Sequence, residues 1–68
     1  MTSEQREVSI SEVEGPKGTA EILEVTNTRG GVIEVEYIVV FEGQRRGAPS
    51  MGEAHILADE LVGLHQGA

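Results

Sequence analysis

From Val32 to Glu42 runs the longest apolar, β-branched stretch of the chain, and it contains both of the aromatic side chains, Tyr37 and Phe41. Such residues fit a pleated strand. Alternation sends Ile33, Val35, Tyr37, Val39 and Phe41 to one face and Val32, Glu34, Glu36, Ile38, Val40 and Glu42 to the other. The first set reads as the core face. The second is polar only in its first half, so Ile38 and Val40 stand where a one-sided sheet would be solvated.

Around this strand the rest of the chain supplies partners. Glu7 to Glu14 alternates through Val8 and Ile10 and then slips, with Val13 out of phase, which predicts a short charged edge strand with a bulge. Gly15-Pro16-Lys17-Gly18 is a turn by composition. It lacks the spacing of a phosphate loop, and no helix follows. Thr19 to Thr26 reads as a second strand, with Leu23 and Val25 on one face and Ile22 beside Glu24 on the other. Asn27 to Gly31 closes a hairpin into the central strand through Gly30-Gly31. Gly43-Gln44 offers another turn, after which Arg45 to Ala48 runs back as a short fourth strand or remains loop.

Ser50 with Glu53 three residues on forms a capping-box pattern, which predicts a helix from Met51 to about Leu64. At 100° per residue Met51, Ala54, Leu57, Ala58, Leu61, Val62 and Leu64 share an apolar arc, with Glu53, Asp59 and Glu60 opposite. Ile56 falls in the polar arc. The reading is an α+β domain: a three- to four-stranded antiparallel β-meander over 7–64, packed on one face by a single C-terminal α-helix. Residues 1–6 are expected to be a disordered tail and 65–68 a frayed end.

From Val35 to Leu64 the order is strand, turn, short strand and capped helix, with Ser50-Met51-Gly52-Glu53-Ala54 opening the helix. This unit resembles the second half of double-stranded RNA-binding domains, and it is similar to the sheet–helix part of HicB-type antitoxins. The likeness covers under half of the chain. RNA contact of that kind implies lysines at the helix start, where this chain has Met51, Gly52, Glu53 and His55.

Size and charge narrow the function. Sixty-eight residues make one domain with a thin core, and with no cysteine neither disulfides nor a thiolate zinc site can reinforce it. Oligomerisation is the remaining common remedy, so a homodimer is expected. A net charge of −7 repels phosphate backbones and disfavours general nucleic-acid binding. Met1 to Arg6 has no apolar core of the kind a signal peptide needs, and no apolar run reaches membrane-spanning length, so the expected compartment is the cytoplasm.

Chemistry-bearing constellations are sparse. His55 and Asp59 stand four apart on the helix, but two ligands are not a metal site, and a boundary histidine pairing with a carboxylate is the reading that explains them. Glu34 and Glu36 have no histidine or lysine near them in sequence for acid–base work. Neither an enzyme nor a cofactor is expected. The reading is a small acidic binding or regulatory protein that acts through protein–protein contacts, with Ile38, Val40 and Ile56 as its partner or self-association surface. In a sharper version it is an inhibitor whose Glu34, Glu36, Glu42, Glu53 and Glu60 occupy a basic groove on a nucleic-acid-handling protein. The alternative is a nucleic-acid-binding module that uses Lys17, Arg29, Arg45 and Arg46.

Overall fold

A computed structural model describes residues 4–64 of the chain. Four strands, β1 (Glu4–Gly15), β2 (Gly18–Arg29), β3 (Val32–Phe41) and β4 (Gln44–Ala48), precede one helix, α1 (Met51–Val62). The strands form an antiparallel sheet in the order β1-β2-β3-β4, an uninterrupted meander. The sheet–helix reading is therefore right, and the fourth strand is present. β1 starts at Glu4, three residues before the expected boundary, because Glu4, Gln5 and Arg6 pair with Thr28, Asn27 and Thr26. The expected frayed end at 65–68 lies outside the described residues.

Register explains the slip read from β1. Ser9 pairs with Leu23 but Ser11 pairs with Ile22, so Ile10 is the extra residue of a bulge. The bulge rotates Ser11 and Val13 onto the face that carries Ile22 and Ala20. The β3–β4 turn is Glu42-Gly43 rather than Gly43-Gln44, since Phe41 pairs with Gln44. Both turn residues have positive φ, 51° and 80°, as a two-residue hairpin of this twist requires.

The helix lies on the Ile22–Val39 face. Ala20, Ile22, Val39 and Ala48 of the sheet are buried against Ala54, Ala58 and Val62 of the helix, and small side chains on both sides let the two layers approach closely. Val13, Tyr37, Phe41, Met51, Leu57 and Leu61 seal the rim. At its start the Ser50 side chain accepts from the Glu53 N–H at 3.2 Å. Among the described residues Glu53 makes no return bond, so half of the expected box forms. The helix stops at Val62, two residues short of the expected Leu64. Gly63 turns left-handed at φ 86°, and the N–H groups of Gly63 and Leu64 donate to the carbonyls of Glu60 and Asp59. Leu64 is consequently exposed.

The helix end is also fixed to the β1–β2 turn. Lys17 N–H donates to the Val62 carbonyl at 2.8 Å, and a Cβ on Gly15 would lie 2.5 Å from that same oxygen. Only glycine allows this approach.

Candidate functional site

Twelve helical residues span about 18 Å, whereas the twelve residues of β2 span about 40 Å. The molecule is accordingly elongated, 47 × 21 × 16 Å. With its C-terminus on the β1–β2 turn, the helix covers the sheet from that turn as far as the Tyr37–Ala48 row. Beyond Tyr37 the same face continues without cover. There Ile33 pairs with Thr28 and Val35 with Thr26, and Ile33 and Val35 are 65% and 48% exposed. Val8 on β1, in the Tyr37 row across from Glu24 and at the limit of the cover, is exposed as well. Ile33 and Val35 were expected in the core. They share its face but lie past the reach of the helix.

The opposite face has a different solution. Glu7 on the first strand and Arg45 on the last form an ion pair at 2.9 Å, although two strands lie between them. In a flat sheet, three strand spacings across and a four-residue offset along the strands would hold their Cα atoms about 20 Å apart, beyond the reach of the two side chains. The meander is therefore curled toward this side, and the line from Glu7 to Arg45 crosses β2 between Val25 and Leu23 and β3 at Ile38. Val25 is 0% exposed here, on the side without a helix, and Leu23, Ile38 and Val40 are half-buried.

The partner surface expected from Ile38, Val40 and Ile56 is not one surface. Ile38 and Val40 lie in the curled face, while Ile56 is on the outer side of the helix, which packs on the other face, and is 56% exposed. The five carboxylates are likewise dispersed. Glu34 and Glu36 are exposed beside the open end of β3, Glu42 is in a turn, and Glu53 and Glu60 are on the helix. The four basic residues do not converge either. Lys17 and Arg29 stand at opposite ends of β2, Arg45 is engaged with Glu7, and Arg46 pairs with Val39 at the sheet edge.

His55 and Asp59 are half-buried on the helix, and no group of three or more metal-ligating side chains occurs among the described residues. A shallow hollow of about 260 Å³ lies at the far end of β1 and β2, lined by Glu4, Gln5, Asn27, Thr28 and Arg29. It is open, polar and slightly smaller than the roughly 300 Å³ of ordinary ligand sites. Among the described residues no helix is long and apolar enough to cross a membrane.

The feature of the molecule that most resembles a binding site is thus the uncovered sheet end. Reading by residue type missed it, although comparing the length of the helical arc with that of the central strand would have found it. No protein-family model matches this chain, and no curated protein or solved structure is significantly similar to it. The likeness of the Val35–Leu64 unit to RNA-binding domains and HicB-type antitoxins therefore rests on its element order and capped helix start.

Proposed function

We propose that this chain is a non-enzymatic binding or regulatory protein that acts through protein–protein contact at the uncovered end of its sheet. The observation that supports this reading is the exposure of Ile33 and Val35 on the face that elsewhere forms the core. Apolar side chains grouped on an uncovered sheet face favour a partner that removes them from water. A homodimer through Ile38, Val40 and Ile56 has less support, since the first two are half-buried and the third points away from them. Nucleic-acid binding has less support too, because the basic residues are scattered over an acidic chain.

Affinity capture from native extract, run at low and high salt with the wild type and with the exposed-site variant Ile33→Asp/Val35→Asp, tests the reading. A protein retained by the wild type in both salts and lost from the variant is the expected result. Retention of nucleic acid, or the same proteins on both baits, would overturn it.

A further inference from the structure

β4 pairs only with Tyr37 to Phe41, so the outer edge of β3 from Val32 to Glu36 has no strand beside it among the described residues. Which groups this edge offers follows from the turn. The Gly30-Gly31 turn closes on the Arg29–Val32 pair, and a two-residue turn of this kind closes on a pair that exchanges hydrogen bonds, after which bonding alternates. Val32, Glu34 and Glu36 therefore bond toward β2, and Ile33 and Val35 direct their N–H and C=O outward. The β4 side agrees, for Tyr37, Val39 and Phe41 belong to that same alternate set and meet Ala48, Arg46 and Gln44. Unpaired main-chain groups and exposed apolar side chains thus coincide at Ile33 and Val35.

The other edge is less receptive. β1 is interrupted by the bulge at Ile10 and flanked beyond it by Glu12 and Glu14.

A second copy of the chain fits the β3 edge poorly. Two-fold antiparallel pairing that uses both Ile33 and Val35 must centre on Glu34, placing the two Glu34 side chains directly opposite one another in the closer type of pair, about 4.5 Å between Cα atoms. Centring on Val35 would set Ile33 against Tyr37, whose edge β4 already occupies. Centring on Ile33 would drive Val35 onto Gly31 in the turn, at φ 83°. Each copy also carries a net charge of −7. The same carboxylates suit a cationic strand, because a residue opposite Glu34 shares its face, whereas residues opposite Ile33 and Val35 join the apolar face.

We infer that the open edge of β3 takes up an extended segment of a partner protein as a further strand, and that this segment alternates apolar residues with lysine or arginine. This inference rests on the contact function proposed above and supplies the chemistry of the partner. Main-chain bonds at Ile33 and Val35 hold the segment, apolar side chains extend the patch beyond Tyr37, and cations face Glu34 and Glu36.

The test is a titration of the isotope-labelled full chain with a blocked peptide of alternating lysine and valine, about seven residues long, followed by amide NMR. Saturable shifts centred on Ile33 and Val35, with slowed hydrogen exchange at those two amides, are expected. The double reversal Glu34→Lys/Glu36→Lys should weaken this peptide by about tenfold or more and admit a glutamate–valine peptide instead. Val35→Pro, which removes an outward N–H and spares the β2 pairing, should abolish binding while the helix resonances keep their dispersion. Failure to saturate, shifts along β1, indifference to charge reversal, or self-association through Ile33 and Val35 in sedimentation would each overturn the inference. Capture that depends on Ile33 and Val35 beside a peptide that fails leaves the contact function standing and removes only the strand-addition mode. Peptide binding with no dependent capture does the reverse.

Discussion

Two valines on adjacent strands show how little residue type says about environment. Val25 and Val35 both sit on alternating strands next to glutamate or threonine, yet one is 0% and the other 48% exposed. Val25 is enclosed by the curl that brings Glu7 to Arg45, and Val35 lies past the end of the helix. Val25→Ala should cost about 2 kcal/mol in urea unfolding, as truncation of a packed aliphatic does. Val35→Ala should stay within about 0.5 kcal/mol. Equal losses at the two sites would contradict the curled sheet. Glu42 is a further special case, the only non-glycine residue at positive φ among the described residues. Nothing in its side chain announces that conformation; the register of its neighbours imposes it.

Among the elements, the helix depends on its two ends. Its last turn carries no basic residue, and its final carbonyls are satisfied instead by the backbone of Gly63, Leu64 and Lys17. Gly63→Ala places a side chain at φ 86° with its Cβ 3.1 Å from Lys17 Cγ, and it should lower stability by about 1–2 kcal/mol. A thermal or urea midpoint unchanged by this substitution would mean that the helix ends elsewhere. Most of the element order was readable from the sequence, because alternation, glycine-bearing turns and the Ser50 cap are local signals. The bulge in β1 was readable for the same reason, since Val13 falls out of step with Val8. Helix length was not: Leu64 continues the apolar arc of the sequence, but Gly63 turns left-handed before it and ends the helix at Val62. The candidate site was readable only in part. Ile33 and Val35 were assigned to the correct face, but whether that face is covered depends on where the helix docks, and docking is set by Gly15 and Lys17 far away in sequence.

For the whole molecule, curvature is the property that residue patterns do not carry. The ion pair between Glu7 and Arg45 joins the outermost strands, but its side chains remain 38% and 49% exposed, so solvent screens it. A double-mutant cycle of Glu7→Gln and Arg45→Gln should give a coupling below about 1 kcal/mol that shrinks as salt is raised. A larger, salt-independent coupling would mean that the pair itself bends the sheet. A small one leaves the bend to strand twist and to burial of Val25, Leu23 and Ile38.

The order of the elements also bears on how the chain is made. Synthesis delivers β1, β2 and β3 to the solvent ahead of β4 and the helix, so Ile22 and Val39 on one side and Val25 on the other emerge with their covers still inside the ribosome. A nascent intermediate of this kind keeps two apolar faces wet until the last two elements arrive. Because the Lys17–Val62 bond joins the first hairpin to the end of the helix, native packing is completed only after Val62 has left the exit tunnel.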